Sequence, residues 1–331
     1  MNISIIGSGS FGTSIAIHLS PKAQNINIYS NDSDIVNEIN INRTNKNYLQ
    51  DIDFIPMNIS ASTNLREVIE DTQYIILAVP SHAIRSVSKT LKPYINENHI
   101  IVNLAKGLDE NTLSRLSEVI KEEANTDNIV VLSGPSHAEE IVKNIPTTIV
   151  ASSHNLKLAE QTQQDFSTNT LRIYTNPDVV GVEIGGAAKN IIALASGILD
   201  GLGYGDNAKA ALMVRGINEI IQIGKVLGGS ETTFNGLSGM GDLIVTCTSK
   251  HSRNKRAGEL LSKGLSLDET LQSVGMVVEG VNACDCFYKL SIQHNIELPI
   301  TTALYNVLYK HSNPKDEIHN LLSRDNKNEF N

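Results

Sequence analysis

A glycine-rich segment near the start of the chain constrains the fold more than any other feature. Gly7, Gly9 and Gly12 lie between a short apolar stretch and a stretch with helical spacing. A strand, a glycine turn and a helix in this order are typical of a dinucleotide-binding βαβ unit. In such a unit the first glycine permits the tight turn, the second lets the backbone approach a pyrophosphate, and the third allows close helix packing. A glycine turn that serves only the fold is the alternative.

The first half of the chain has the pattern of an α/β protein. Apolar stretches rich in Ile and Val alternate with amphipathic stretches as far as about residue 180. This alternation is typical of a parallel sheet with helices on both faces. We therefore expect a Rossmann-type, doubly wound, dinucleotide-binding domain over residues 1–180, with strands at 2–6, 26–30, 74–79, 99–103, 128–132 and 147–151.

The second half changes to helical spacing at about residue 181. The apolar periodicity predicts an all-helical, substrate-binding domain over residues 181–331. The expected helices lie near 187–200, 207–227, 255–263, 267–274, 279–295 and 301–310. Polar or glycine-rich interruptions at 234–242 and 251–254 separate these helices, and such interruptions often line a cleft.

Composition excludes several classes of function. The chain has 331 residues, 40% of them hydrophobic, and a formal net charge of −9, which argues against nucleic acid or an anionic membrane as a partner. Three cysteines are too few for a disulfide framework, and the histidines and carboxylates show no metal-ligand spacing. An expected strand directly follows Met1, and no uncharged apolar run reaches membrane-spanning length. We therefore expect a cytoplasmic protein without a signal peptide, membrane insertion or bound metal.

Lys189 is the one charged residue of an apolar stretch that follows Glu183. Burial, together with the positive end of a helix that starts near Gly186, would lower the pKa of this lysine towards neutrality, where proton transfer is efficient. Alternatively, its stem packs against apolar neighbours while its ammonium group reaches water. The residues by themselves leave both interpretations open.

Other polar groups lie where ligands commonly bind. Lys106 follows an expected strand, at the edge where open α/β sheets bind ligands, although it also fits a solvated loop lysine. Ser252, Arg253 and Asn254 offer a hydroxyl, a guanidinium and a carboxamide within one turn, which suits a phosphate. The same three residues also fit an ordinary helix N-cap.

Taken in order, these segments resemble the bacterial-type NAD(P)-dependent glycerol-3-phosphate dehydrogenases over nearly the whole chain. Single motifs also occur in other Rossmann dehydrogenases, but their combination is specific to this family. The motifs that carry the resemblance lie at residues 7–13, 79–82, 105–108, 133–136, 185–190, 239–243, 252–254 and 277–280.

The resemblance implies reversible interconversion of dihydroxyacetone phosphate and sn-glycerol 3-phosphate, for glycerophospholipid synthesis. Lys189 matches the family's catalytic lysine, which protonates the ketone oxygen as hydride arrives and acts as the base in the reverse direction. Asp242 is expected to position Lys189 or a substrate hydroxyl, and residues 252–254 are expected to hold the phosphate. The implied substrate-binding residues are Lys106, Gly134, Ser136, Lys189, Asp242, Ser252, Arg253 and Asn254.

The implied cofactor is NAD(P)H. The glycine turn and the resemblance together assign it Gly7, Gly9, Ser10, Phe11, Gly12, Asn31, Lys106, Ala138, Arg253, Val277 and Glu279. The family often presents Arg or His to the 2′-phosphate of NADPH where this chain has Asn31, and Asp32 follows at the place of an NAD-selecting acid. Arg43 or Lys46 could supply the missing charge, so NADH and NADPH both stay open.

Two other functions are consistent with parts of the sequence. A β-hydroxyacid or 6-phosphogluconate-type dehydrogenase also joins a Rossmann domain to helices, but its fuller glycine pattern is absent before Gly185. A non-catalytic NAD(P)-binding redox sensor would keep the glycine turn and have no use for Lys189 or Arg253. A homodimer is expected from the family resemblance alone.

Overall fold

An eight-stranded sheet forms the core of the N-terminal Rossmann-like domain in the computed structural model, which describes residues 1–50, 52–325 and 328–329. The strand order is β3-β2-β1-β4-β5-β6-β7-β8. The strands are β1 (Asn2–Ile6), β2 (Asn25–Tyr29), β3 (Ile59–Ser62), β4 (Tyr74–Leu77), β5 (Ile100–Asn103), β6 (Ile129–Ser133), β7 (Thr147–Ser152) and β8 (Leu171–Asn176).

Helices cover both faces of this sheet, as the alternating pattern predicts. Ile5 and Ile76 belong to one buried apolar cluster, whereas their neighbours Ile6 and Leu77 belong to another on the opposite face. Residues of one strand alternate between faces, so an unbroken apolar strand requires cover on both sides. The covering helices are α1 (Ser10–Leu19), α2 (Ser33–Asn37), α3 (Leu65–Ile69), α4 (Ile84–Leu91), α5 (Leu116–Ala124), α6 (Ala138–Ile141) and α7 (Leu156–Phe166).

The expected parallel sheet contains one antiparallel pairing. β7 runs antiparallel to β6, with Ser133 opposite Val150, and all other pairings are parallel. The connection between these two strands contains only the four-residue helix α6. The chain therefore re-enters the sheet at the edge where β6 ends instead of crossing a face to the opposite edge.

The helical C-terminal domain is built around one long buried helix. Its helices are α8 (Val179–Gly201), α9 (Asp206–Val226), α10 (Glu231–Phe234), α11 (Asp242–Thr248), α12 (Arg253–Ser262), α13 (Leu267–Val274), α14 (Glu279–His294), α15 (Pro299–Tyr309) and α16 (Pro314–Leu322). Among the described residues, α8 alone is long and apolar enough to cross a bilayer, but 89% of its most apolar window is buried inside the protein. Such burial is typical of the core helix of a globular domain and not of a helix that faces lipid.

The expected start of this helix near Gly186 is wrong. α8 begins at Val179, where the Asp178 side chain accepts a hydrogen bond from the Gly181 amide. The glycines inside the helix permit close packing: a Cβ on Gly186 would lie 2.7 Å from the Ser133 hydroxyl oxygen. A Cβ on Gly197 would lie 1.9 Å from the Lys255 carbonyl oxygen. These glycines therefore bring α8 against the sheet and against α12 and do not end the helix.

Candidate active site

The glycine turn has the geometry of a nucleotide cradle. Gly7 has φ of 116°, and a Cβ on it would lie 2.5 Å from the Ala78 carbonyl oxygen. A Cβ on Gly12 would lie 2.2 Å from the Gly7 carbonyl oxygen, so this position also excludes a side chain. A Cβ on Gly9 would meet no atom within 4 Å, which leaves its backbone open to a ligand. These three environments match the roles expected for the three glycines.

The start of α1 fits an anionic pyrophosphate. Gly9 is the N-cap residue, no side chain caps the helix, and its first turn contains no acidic residue. Backbone amides at such a helix start, with the positive end of the helix dipole, favour an anion. Beside them, the Ser10 hydroxyl donates to the Tyr48 carbonyl oxygen at 2.9 Å, and Phe11 packs partly buried against the sheet core.

The structure removes one proposed source of charge for a 2′-phosphate. The Arg43 guanidinium donates hydrogen bonds to the carbonyl oxygens of Ile55, Pro56 and Ile59, so it is committed to its own loop. Asn31 is exposed after β2, and Asp32 caps α2 by accepting a 2.8 Å hydrogen bond from the backbone N of Asp34. Lys46 remains as an exposed cation on the same loop.

A buried carboxylate joins the two predicted lysines. Asp242, the first residue of α11, accepts from Lys189 Nζ at 2.9 Å through Oδ1 and from Lys106 Nζ at 2.5 Å through Oδ2. Lys189 and Asp242 are both buried. Because Lys106 comes from the loop after β5 and Lys189 from α8, this carboxylate links the two domains. The fold thus brings all three residues into one site.

Burial lowers the pKa of Lys189 to about 8, with the nearby Lys106 charge acting in the same direction and Asp242 opposing both. The expected contribution of a helix start is absent, because Lys189 lies in the middle of α8. Burial by itself would raise the pKa of Asp242, but the two ammonium groups outweigh it and hold that pKa below its usual value. The site therefore combines an ionised carboxylate with an ammonium group that titrates near neutrality.

Thr246 belongs to the same network, although no pattern in the sequence selects it. Its hydroxyl lies 2.7 Å from Lys189 Nζ and donates to the Asp242 carbonyl oxygen at 2.6 Å. Asp242 and Thr246 are four residues apart on α11, so they share one face of that helix. This four-residue spacing is the only sequence feature that relates Thr246 to the site. It selects Thr246 only when Asp242 is already known to face Lys189.

The loop after β6 forms one wall of the site. Gly134 has φ of 129°, and its carbonyl oxygen accepts from Lys106 Nζ at 2.9 Å and from the Ser136 hydroxyl at 2.9 Å. Ser136 Oγ also lies 3.5 Å from Lys106 Nζ. Ala138 begins α6, and its carbonyl oxygen accepts a hydrogen bond from the Ser14 hydroxyl at 2.6 Å. This bond connects the loop to α1, the helix that follows the glycine turn.

Residues 252–254 have three different environments: a helix cap, an exposed guanidinium and a buried amide. Ser252 caps α12 by accepting from the Lys255 amide at 3.2 Å. Asn254 is buried and donates to Asn190 Oδ1 at 2.9 Å, while its own Oδ1 accepts from the Gly280 amide at 2.9 Å. Arg253 is exposed and has no hydrogen-bond or ion-pair partner within the described chain. Its guanidinium is therefore the one charged group of the three, and it is free of polar contacts with other described residues.

Glu279 of the helical domain also makes a polar contact with the sheet domain. Its carboxylate accepts from the Ser81 amide at 3.0 Å and from the Ser81 hydroxyl at 2.5 Å. Gly107 is needed here, since a Cβ on it would lie 2.5 Å from the Ser81 Cβ. Val277 lies half-buried just before α14. Neither Glu279 nor Arg253 touches the Lys189 network directly; both lie on segments that border it.

The chain matches known proteins over nearly its full length. The family model for the N-terminal part of NAD-dependent glycerol-3-phosphate dehydrogenase matches residues 2–159, and the model for its C-terminal part matches residues 178–319. A glycerol-3-phosphate dehydrogenase [NAD(P)+] of Clostridium botulinum is 55% identical over 328 residues, covering 99% of each chain. One from Clostridium acetobutylicum is 53% identical over 328 residues, covering 99% of this chain and 98% of the relative.

A solved structure has the same architecture. The crystal structure of glycerol-3-phosphate dehydrogenase from Coxiella burnetii superposes with a TM-score of 0.94 at 36% identity, covering 98% of this chain and 99% of that one. This match includes both the sheet domain and the helical domain that together enclose Lys189, Asp242 and Lys106. The chain belongs to the NAD-dependent glycerol-3-phosphate dehydrogenase family.

Proposed function

We propose that this protein interconverts dihydroxyacetone phosphate and sn-glycerol 3-phosphate, with NAD(P)H as the cofactor. One observation carries the proposal: the buried Lys189 ammonium, held by Asp242 and Thr246, lies where the nucleotide-binding domain meets the helical domain. A ligand that reaches this ammonium lies between the glycine turn and residues 252–254. The site therefore offers a proton donor between a nucleotide cradle and a free guanidinium.

The chemistry divides between cofactor and protein. The nicotinamide, when bound, supplies or accepts the hydride. Lys189 gives its proton to the ketone oxygen during reduction and takes it back during oxidation, and a pKa of about 8 suits both directions near neutral pH. Asp242 fixes the position of Lys189 Nζ through their 2.9 Å contact. Lys106 adds a second positive charge that stabilises the negative charge developing on oxygen.

The substrate is anionic, whereas the whole chain has a net charge of −9, so its phosphate needs a local positive site. Arg253 supplies that site, with Ser252 and Asn254 shaping the helix start beside it. Lys106, Gly134 and Ser136 bind the triose portion on the opposite wall.

The cofactor occupies Gly7, Gly9 and Gly12 and extends towards Asn31 at the adenosine end. Ser10, Phe11, Ala138, Val277 and Glu279 surround it, and Lys106 and Arg253 contact both ligands. Residues 1–180 bind the cofactor and residues 181–331 complete the substrate site; within these ranges, residues 51, 326–327 and 330–331 lie outside the described residues.

The cellular setting follows from the reaction. Its product, sn-glycerol 3-phosphate, is the backbone from which glycerophospholipids are made, and we place the enzyme in the cytoplasm as a homodimer. No metal takes part in the proposed steps.

Size-exclusion chromatography with light scattering tests the dimer: a mass near twice 36.0 kDa supports it, and a mass of 36.0 kDa contradicts it.

The reaction can be tested directly by mixing the protein with dihydroxyacetone phosphate and either NADH or NADPH. Consumption of the cofactor is measured as the loss of absorbance of the reduced nicotinamide. Turnover with this substrate supports the proposal. Turnover of a 2-hydroxy acid or 6-phosphogluconate instead would revive the hydroxy-acid dehydrogenase alternative. Nucleotide binding without turnover of any of these substrates would favour a redox sensor.

A further inference from the structure

Two buried polar atoms, one at the end of β6 and one just before α6, have no hydrogen-bond partner among the described residues. They are Ser133 Oγ and His137 Nε2, and both flank the Gly134 and Ser136 positions of the site wall. A buried polar group without a partner destabilises the fold, so two so close together in the chain require an explanation. Ligand binding is a common reason for such a group beside an active site.

The two atoms differ in their surroundings. Ser133 Oγ faces α8, since a Cβ on Gly186 would lie only 2.7 Å from it. The His137 ring instead faces the ring of His251 in the helical domain, with centroids 6.0 Å apart and planes at 53°. His251 directly precedes residues 252–254. His137 therefore lies across the domain junction from the segment that carries Arg253.

Burial lowers the pKa of His137 below its usual value, and the charges of Lys189 and Lys106 act in the same direction, whereas Glu139 and Asp242 oppose them. The imidazole is therefore neutral near pH 7 and carries one N–H donor and one acceptor nitrogen. A neutral donor can bind an anionic oxygen without adding another charge to a site that already holds two ammonium groups.

We propose that His137 is a substrate-binding residue whose Nε2 donates a hydrogen bond to a phosphate oxygen of the phosphorylated triose. This inference rests on the proposed function, because it needs a phosphorylated substrate at the domain junction. The reacting carbonyl end of that substrate belongs beside Lys189. The phosphate then lies towards residues 251–254, where the His137 ring faces His251.

The test compares His137→Phe, which keeps a ring but removes the donor, with His137→Gln, which keeps an amide donor. For His137→Phe we expect KM for dihydroxyacetone phosphate to rise about 10-fold or more, with kcat within about threefold and KM for NADH unchanged. His137→Gln should recover much of the loss. His154→Phe, at an exposed histidine away from the site, is the matched control and should behave as wild type.

A second measurement separates phosphate binding from a structural role. Inorganic phosphate serves as the probe: its inhibition constant should rise in His137→Phe by a factor similar to the rise in KM. Turnover of unphosphorylated dihydroxyacetone should be unchanged, because this substrate has no phosphate to lose. Thermal melts check folding. If the melting temperature of His137→Phe is well below that of wild type, the comparison is made with His137→Gln instead. A rise in its inhibition constant for inorganic phosphate supports the contact, and no rise or a fall contradicts it.

The outcomes are distinct. A KM for dihydroxyacetone phosphate within about twofold of wild type in both variants, with unchanged phosphate inhibition, overturns the assignment of His137 alone. An equal rise in KM for unphosphorylated dihydroxyacetone also overturns it, because the contact then lies at the carbonyl or hydroxyl end. If wild type turns over neither substrate, the proposed function itself fails.

Discussion

Glu279, at the first turn of α14, holds Ser81 at the carboxyl edge of the sheet through both the backbone amide and the hydroxyl, at 3.0 and 2.5 Å. This contact joins the two domains beside the proposed cofactor site. A carboxylate that accepts two hydrogen bonds from one residue fixes both the distance and the orientation between the elements that carry them. The domain junction is thus specified by side chains on the rim of the active site.

Loss of this contact should weaken both folding and cofactor binding. For Glu279→Ala we expect a free energy of unfolding lower by about 1–3 kcal/mol, because the Ser81 amide loses its acceptor. The Kd for NADH should rise as well. Ser81→Ala keeps the backbone amide and should lose less stability. Denaturant unfolding and fluorescence titration measure both effects, and an unchanged Kd in Glu279→Ala would contradict a role at the cofactor.

The pH dependence should have opposite signs in the two directions of reaction. Reduction needs protonated Lys189, so its kcat/KM should be level at low pH and fall about tenfold per pH unit above a pKa of about 8. Oxidation needs the neutral amine, so its rate should rise with pH and become level above that value. Initial rates from pH 6 to pH 10 measure both profiles, and two profiles of the same sign would contradict the assigned role.

Cofactor selectivity should respond to the residue after β2 and not to Arg43. Asn31→Arg places a guanidinium near the 2′-phosphate position, and we expect kcat/KM for NADPH to rise about 10-fold with little change for NADH. Arg43→Ala should instead lower the melting temperature, because three carbonyl oxygens lose their donor. If Arg43→Ala selectively lowers NADPH activity at unchanged stability, Arg43 contacts the cofactor after all.

The free guanidinium of Arg253 should carry much of the substrate affinity. Arg253→Ala should raise KM for dihydroxyacetone phosphate by about 10- to 100-fold, because one charge-assisted contact to phosphate is lost. Arg256→Ala is the matched control: that arginine is exposed on the same helix and donates to the Ser273 carbonyl oxygen. Equal effects of the two substitutions would show a general loss of positive charge instead of a specific contact.

The sequence pattern predicts the sheet domain well where strands are buried on both faces, and poorly at the sheet edges. The two strands absent from the prediction, β3 and β8, are the edge strands, and each alternates buried with partly or fully exposed residues. Because an edge strand lacks a continuous apolar run, it resembles a loop in sequence. The sequence pattern also does not predict the direction of β7, which is antiparallel to β6. Strand direction depends on whether the connection crosses the face of the sheet or returns at the same edge.

In the candidate site, too, the sequence predicts what depends on neighbouring residues and does not predict contacts between distant segments. Lys189 stands out because a lone charge in an apolar helix is a local anomaly. Its partners Asp242 and Thr246 are more than 50 residues away, and no local pattern selects Thr246. The start of α8 was misplaced because glycines that usually break a helix here permit close packing. Contacts between distant segments require the three-dimensional fold.

If Lys189 is the proton donor of the reaction, Lys189→Ala should lose turnover with dihydroxyacetone phosphate and NADH but keep its affinity for the cofactor. We expect kcat to fall by about 10²-fold or more, while the Kd for NADH stays within about twofold of wild type. Lys263→Ala, at an exposed lysine of the helical domain, should keep full activity. Wild-type turnover by Lys189→Ala would contradict the mechanism while leaving the family assignment intact.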